Sequence, residues 1–168
     1  MRLYRLVVAQ RIPRALETVW TFFSRPENLK LLTPPYMEFA ILSPVPEKMQ
    51  AGLIIEYRVR PLWNLPMRWV TEITHLHGPE DGEPPYFFVD EQRFGPYRFW
   101  HHRHIFTPQS DGTLLMQDIV HYALPGGKLG TLFHPLMVRP RLEEIFRFRQ
   151  EKVRTLFGGE VVQPPHFT

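Results

Sequence analysis

Residues 85–106 read PYFFVDEQRFGPYRFWHHRHIF, and they predict the hairpin around which the fold is organised. Two runs rich in Phe, Tyr, Val and Trp, Tyr86 to Gln92 and Tyr97 to Phe106, are joined through Gly95-Pro96, which is the sequence pattern of a long β-hairpin. Side chains alternate across a strand. The second run therefore places four residues on one face: Trp100, His102, His104 and Phe106.

Both faces of this hairpin mix aromatic side chains with groups that hydrogen-bond or titrate. Buried polar groups need partners, and a wet or ligand-filled cavity supplies them. We therefore expect the hairpin to form a cavity wall rather than a dry core. A bulge near Gly95 would decide whether Asp90 and Gln92, or Glu91 and Arg93, share the face of Trp100 and His102, and the sequence leaves both registers open.

The 168-residue chain has the length and composition of one globular domain, which we place at 2–158 with a tail at 159–168. The 18 prolines indicate many short, sharply turned elements. The absence of cysteine excludes disulfides, thiolate zinc sites and a cysteine nucleophile. The apolar run Leu6 to Ala9 is too short for a signal peptide or an integral membrane segment, and we expect a cytoplasmic protein.

Residues outside the hairpin predict further strands and two short helices. Alternation from Tyr4 to Ile12 predicts a first strand, and Leu16, Val19, Trp20 and Phe23 predict a helix with one apolar stripe. A second short helix is expected after a capping box that begins at Ser24. Further strands are predicted at about 37–42, 52–60, 67–77, 86–93, 97–107 and 113–123, with a turn at Asn64-Leu65-Pro66 among those that separate them.

After residue 127 the pattern becomes helical again. Pro135 and Pro140 predict either a short leading segment before a main helix that starts near Arg139, or a kink in one long helix. The apolar side of this helix is predicted to carry Leu142, Ile145, Phe146, Val153, Leu156 and Phe157. Short connections make neighbouring strands antiparallel. The predicted class is α+β: a curved antiparallel sheet of about seven strands wraps around the long C-terminal helix, and the tail is disordered or loosely docked.

This order of elements resembles the START-like helix-grip superfamily, also called SRPBCC, in an uncharacterised bacterial branch that is polyketide cyclase/dehydrase-like. The resemblance covers residues 2–158 and is carried by RIPRALETVWTFFSRPENLKLLTPP, FVDEQRFGPYRFWHHRHIF, GTLLMQDIVHYALPGG and LEEIFRFRQEKVRTLF. It implies a deep, largely apolar cavity that holds a lipid, polyketide, isoprenoid or similar molecule. It does not imply a reaction, because the same fold hosts carriers, sensors and enzymes.

The histidines of the hairpin raise the questions of metal binding and catalysis. His102 and His104 form H-x-H on one strand face, and His75 and His77 form another, but no acidic residue follows either pair at a fixed short spacing. We therefore expect no metal and no cofactor. Acid/base chemistry would use His102 or His104 with Glu91, Asp90 or Asp118 as the orienting carboxylate, and a structural polar cluster is favoured over it.

Two further function classes are disfavoured. Arginines interleaved with aromatics would suit single-stranded nucleic acid, but the aromatics fit a sheet core better and no RNP-like pattern is present, so no nucleic-acid partner is expected. No serine has a G-x-S-x-G context.

The preferred hypothesis is a non-catalytic binding protein for a hydrophobic or amphipathic small molecule, and the alternative is a cyclase, dehydratase or isomerase in the same cavity. The predicted ligand contacts are Trp20, Phe23, Tyr57, Trp69, Phe88, Gln92, Trp100, His102, His104, Phe106, Tyr122, Ile145 and Phe146, with Asp118 beside the polar end.

Overall fold

The structure, a computed structural model, describes residues 2–61 and 65–168. Its strands are β1 (Tyr4–Ile12), β2 (Ala40–Ile41), β3 (Ile54–Val59), β4 (Met67–His77), β5 (Tyr86–Phe94), β6 (Phe99–Pro108), β7 (Leu114–Ala123) and β8 (Glu160–Phe167). Its α-helices are α1 (Leu16–Phe23), α2 (Lys128–Phe133) and α3 (Arg139–Phe157). Asn64, part of the turn predicted before β4, lies outside the described residues.

The strands form one antiparallel sheet in the order β2-β3-β4-β5-β6-β7-β1-β8. Consecutive strands from β2 to β7 are neighbours, as their short connections predicted, and β1 returns to pair with β7. The long α3 helix completes the α+β helix-grip architecture that was expected, and that prediction is confirmed. The sheet has eight strands rather than about seven because the C-terminal residues add one.

The segment between α1 and β3 departs from the prediction. Ser24 ends α1 by donating its backbone N–H to Trp20, and the expected second helix is a 3₁₀ helix, Pro26–Leu32, without a side-chain cap. The predicted strand at 37–42 is reduced to Ala40–Ile41. A 3₁₀ turn occupies Pro35–Met37, and the left-handed backbone of Glu38, with φ of 44°, interrupts the extended conformation before β2.

The 159–168 segment is an ordered edge strand, so the prediction of a disordered or loosely docked tail was wrong. β8 pairs antiparallel with β1, from Leu6 opposite Phe167 to Arg11 opposite Glu160, with two register shifts between them. Pro164 and Pro165 lack backbone donors, which an edge strand tolerates because one of its sides has no partner strand. Gly159 makes the turn into β8 at φ of 97°, where a Cβ would overlap the carbonyl oxygen of Arg11.

Residues 128–157 form one continuous helical segment, in which a π-helical turn that contains Pro135 separates two α-helices. α2 leads into a π-helical turn, His134–Val138, and α3 begins directly at Arg139. The two alternatives predicted here are therefore combined: a short leading helix is present, and it continues into the main helix. Leu142, Phe146, Val153 and Phe157 are buried on α3 as expected, whereas Leu156 is exposed.

Buried apolar side chains form two clusters between the sheet and the helices. One is built around β1, β3, β4, β6 and β7 with the first half of α3, and the other around α1, β5, β6 and β7 with the second half. Among the described residues, no helix combines the length and the hydropathy that crossing a bilayer requires.

Candidate functional site

A cavity of about 510 Å³ lies between the inner face of the sheet and the helical elements. Most of its wall is apolar, and the aromatic side chains in it are Phe22, Phe23, Phe39, Tyr57, Trp69, Phe88, Tyr97, Trp100, Phe133 and Phe146. The buried charged or titratable side chains in the same wall are His102, His104 and Arg149, and Asp90 lies beside them. The cavity therefore combines a large apolar surface with one compact group of buried ionisable side chains, and Arg25 and Arg141 also reach its lining.

The strand register brings this group together. Asp90 on β5 lies opposite His102 on β6, and His104 on β6 lies opposite Asp118 on β7. The pairing from Tyr86 to Glu91 is regular, so Asp90 shares the inner face with His102 and the register left open by the sequence is settled. Glu91 lies on the opposite face, where its carboxylate accepts a hydrogen bond from Arg93 at 3.1 Å.

His102 lies between the two carboxylates. Its Nδ1 is 3.3 Å from Oδ2 of Asp90, and its Nε2 is 3.1 Å from Oδ1 of Asp118. Burial alone would lower the pKa of His102, but the charge of Asp90 and the hydrogen bonds to Asp118 and Asp90 outweigh it and raise the pKa above its usual value. The geometry thus favours an imidazolium that donates from both ring nitrogens.

His104 contacts the same two carboxylates. Its Nε2 is 2.9 Å from Oδ2 of Asp90, and its Nδ1 is 2.8 Å from Oδ1 of Asp118. Burial lowers the pKa of His104, and the neighbouring His102 charge lowers it further. A neutral His104 has one N–H, which it donates either to Asp90 or to Asp118.

Arg149 on α3 joins the cluster from the helix side. Its Nε donates to Oδ2 of Asp118 at 3.2 Å, and its Nη2 lies 3.0 Å from Nδ1 of His104, to which it donates when that nitrogen carries no proton. Burial would raise the pKa of Asp118, but the Arg149 charge and the two histidines hold it well below its usual range. With His102 protonated, the charges of the two carboxylates, the guanidinium and the imidazolium cancel.

Asp90 is the member of the cluster most open to the cavity. Its side chain is 18% exposed, against 5% for Asp118. Burial would raise its pKa, but His102 and His104 lower it overall, so Asp90 is a carboxylate. Both histidine contacts use Oδ2, and none of the hydrogen bonds found among the described residues ends on Oδ1. This oxygen is an open acceptor in the cavity wall.

Nine of the predicted ligand contacts line the cavity, and their contact with a ligand stays a prediction: Phe23, Tyr57, Trp69, Phe88, Trp100, His102, His104, Ile145 and Phe146. Four others do not line it. Trp20 and Phe106 pack edge to face in the second core cluster. The Tyr122 hydroxyl bonds His134 at 2.7 Å. Gln92 folds over the hairpin turn, where its amide donates to the Tyr97 carbonyl at 2.6 Å.

Two functional residues were missed or undervalued in the sequence. Arg149 falls on the apolar stripe of α3, three residues after Phe146 and four before Val153, and a cation on a buried stripe is the signal that was available. Asp90 was one of three possible orienting carboxylates. Only the register of β5 against β6 selects it over Glu91.

The same geometry corrects the argument against a metal. One donor atom each from Asp90, His102 and His104 lie within 4.8 Å of one another, so an acidic ligand does reach the H-x-H pair, from the neighbouring strand rather than from a short spacing. His75 and His77 make separate contacts, with Thr74 and with the Glu83 carbonyl. Each ring nitrogen of His102 and His104 already has a hydrogen-bond partner in Asp90, Asp118 or Arg149, and the absence of a metal remains our prediction.

The sequence matches no protein-family model and no curated protein. Several solved structures resemble the fold over nearly its whole length. Truncated norcoclaurine synthase from Thalictrum flavum is 13% identical and covers 92% of this chain and 93% of its own, with a TM-score of 0.64. A START superfamily protein from Mycobacterium smegmatis is 14% identical and covers 91% and 99%, with a TM-score of 0.58.

A protein from Thermus thermophilus is 16% identical and covers 90% of this chain and 98% of its own, with a TM-score of 0.59. At such identities the likeness concerns the fold and leaves the chemistry open. The resemblance that the sequence carried is confirmed at that level: this chain has the helix-grip fold of the START-like superfamily.

Proposed function

We propose that the protein binds a small, mostly apolar molecule in the cavity between the sheet and α3, and that the molecule carries a hydrogen-bond donor which meets Oδ1 of Asp90. The observation that carries this proposal is the open carboxylate oxygen in an otherwise largely apolar wall. A partly buried acceptor without a protein partner favours a ligand that supplies a donor. A phenol, an alcohol or an ammonium group would serve.

The size and lining of the cavity support a ligand rather than a closed core. Its volume of about 510 Å³ is within the range of small-molecule sites, roughly 300–1,000 Å³. Aromatic walls contribute a large apolar contact area, worth about 25 cal/mol per Å² removed from water. The cytoplasmic location and the absence of a nucleic-acid partner, both predicted from the sequence, belong to the same proposal.

The test is native mass spectrometry of the full chain, followed by displacement of a hydrophobic fluorophore from the cavity. We expect a co-purified apolar molecule, or a fluorophore that 1-naphthol displaces. Ile145→Trp fills the cavity from α3 and should weaken fluorophore binding at least tenfold, an order-of-magnitude expectation from lost contact area. Leu156→Trp, at an exposed position of the same helix, is the matched control. The proposal would be refuted if the protein carried no co-purified molecule and bound neither the fluorophore nor 1-naphthol.

Acid/base catalysis is the second candidate, and the placement of His102 between Asp90 and Asp118 favours it. Asp90 would take a proton from the ligand at Oδ1 as general base and return it as general acid, while His102, held by Asp118, would orient the Asp90 carboxylate. Such a pair would suit a cyclisation, dehydration or isomerisation, and norcoclaurine synthase, by its name a synthase, shares the fold. His102→Gln separates the two functions, because a binder loses modest affinity whereas an enzyme loses orders of magnitude in rate.

A further inference from the structure

The helical segment 128–138, defined as α2 with the π turn that follows it, carries an apolar stripe that faces solvent. Leu129, Leu132, Phe133 and Leu136 are spaced at i, i+3, i+4 and i+7, the positions of one helix face. They are 65%, 62%, 49% and 71% exposed. Such a stripe normally packs against a core, but none of the described residues covers it. A contiguous exposed patch of this kind marks an interaction surface.

Basic side chains surround both ends of the stripe. Lys128 begins α2, and Arg139 follows the π turn. Arg2 and Arg98 line a recess of about 250 Å³ together with Gly127 and Thr131 at the start of the segment. No acidic residue occurs in the sequence between Asp118 and Glu143. The segment and the residues that flank it in the sequence therefore carry cations and no carboxylate.

These cations are not neutralised by the rest of the protein. Arg2, Arg98, Lys128 and Arg139 form no ion pair with any residue that the structure describes. Arg2 and Arg139 instead extend over the rings of Tyr4 and Phe167. Their charge is available to an anionic partner.

An exposed apolar helix face bordered by unpaired cations is complementary to the surface of an anionic bilayer. The apolar side chains enter the boundary between headgroups and acyl chains, and the cations contact the headgroups. A second copy of this chain fits less well, because a two-fold contact through the stripe would bring the same cations against each other. We propose that the 128–138 segment docks this protein on the surface of an anionic phospholipid membrane.

Docking of this kind is peripheral and differs from spanning the membrane. It does not depend on what the cavity binds. The segment also contributes Gly130 and Met137 to the cavity wall, and the half-exposed Phe133 lies at the border between the stripe and that wall, so a docked protein would hold the cavity against the lipid surface. The outer side of the segment would then contact the bilayer, and its inner side would contact the small molecule in the cavity.

The experiment is co-sedimentation of the full chain with vesicles of phosphatidylglycerol and phosphatidylcholine in equal amounts, compared with vesicles of phosphatidylcholine alone. We expect binding to the mixed vesicles, little binding to the neutral ones, and release at about 0.5 M salt, where charges are screened beyond a few ångströms. Leu132→Glu/Leu136→Glu should weaken binding at least tenfold, as an order-of-magnitude expectation. Arg2→Gln/Lys128→Gln should weaken it about fivefold for each cation removed.

The matched control is Leu156→Glu/Val162→Glu, which adds the same charge at exposed apolar positions. Leu156 lies near the end of α3, about 25 Å along the helix from Arg139. This variant should bind as the wild type does, and circular dichroism should show that both double variants are folded. Equal binding by the stripe variant would overturn the proposal. So would a wild-type dimer in sedimentation velocity that the stripe variant converts to monomer, because the stripe would then cover a second copy.

Discussion

Nε of Arg149 on α3 lies 3.2 Å from Oδ2 of Asp118 on β7, and both side chains are buried. This ion pair joins the C-terminal helix to the centre of the sheet. Removing one partner of a buried pair leaves the other charge uncompensated, which costs about 3–5 kcal/mol.

Arg149→Met should therefore lower the free energy of unfolding by about 3–5 kcal/mol, measured by urea denaturation. Asp118→Asn/Arg149→Met should lose less than the two single variants together, because the residues share one network. Arg147→Met is the matched control: Arg147 pairs with Glu143 on the exposed side of the same helix at 2.8 Å, and its loss should cost below about 1 kcal/mol. Equal effects of the two Arg→Met variants would contradict the role given to Arg149.

Asp90→Asn should weaken ligands that donate a hydrogen bond and spare those that do not. The open Oδ1 of Asp90 accepts from 1-naphthol in our proposal, whereas 1-methoxynaphthalene offers no donor. Wild-type protein should prefer 1-naphthol by about tenfold, and Asp90→Asn should reduce that preference, since hydrogen bonds to charged groups contribute about 1.5–3 kcal/mol. Isothermal titration calorimetry measures both ligands. If Asp90→Asn still preferred 1-naphthol to the same extent, the hydroxyl of the ligand would bond an acceptor other than Asp90.

His134 should make the protein less stable as the pH falls below neutrality. It is buried, stacked on Tyr4 with ring centroids 3.6 Å apart, and burial followed by the charges of Arg2 and Arg139 lowers its pKa. The unfolded chain therefore takes up a proton at a pH where the folded chain does not. Stability is thus unaffected above the unfolded pKa of about 6.5 and falls as the pH drops from there to the lowered pKa of the folded chain.

The measurement compares wild type with His134→Gln by chemical denaturation between about pH 7.5 and 5, the range in which histidine titrates. Gln retains a group that can bond the Tyr122 hydroxyl. The stability difference between wild type and variant should shrink toward low pH. A difference that stays constant would mean that His134 does not titrate in this range.

Gly159→Ala should detach β8 from the edge of the sheet. Gly159 has φ of 97°, and a Cβ there would overlap the Arg11 carbonyl. Gly112→Ala is the control for the backbone conformation alone, since Gly112 has φ of 79° and nothing within 4 Å of an added Cβ. Gly112→Ala should cost about 1 kcal/mol and Gly159→Ala more. Hydrogen exchange should show lost protection in β8 and β1 for Gly159→Ala only.

The sequence predicted the fold well where local patterns decide it. Alternating aromatic and β-branched residues, with turns such as Gly95-Pro96 between them, located β3 to β7 within a few residues, and the stripe from Leu142 to Phe157 located α3. The site was harder to predict from the sequence, because its residues come together only through pairing between strands and packing against α3. His102 and His104 were visible as a pair, with Asp90, Asp118 and Glu91 as candidate partners, but no local pattern selects Asp90 over Glu91 or brings Arg149 to them.

β8 escaped prediction for a different reason. Its two prolines and polar residues resemble a loop, and its position is set by the free edge of β1, which is more than 140 residues earlier in the chain. The apolar stripe of the 128–138 segment was also not predicted to be exposed. Apolar residues at helical spacing are normally buried, and only the structure shows that these four side chains face solvent.

The contact between Arg149 and Asp118 also limits how closely α3 can approach the sheet. Apolar walls tend to close on a void, because each Å³ left unfilled costs about 24 cal/mol. A guanidinium anchored on β7 fixes the distance between helix and sheet, and moving α3 inward would push Arg149 into the two imidazoles. We therefore expect the ion pair to keep α3 at its distance from the sheet, so that the binding proposed above would require no movement of the helix.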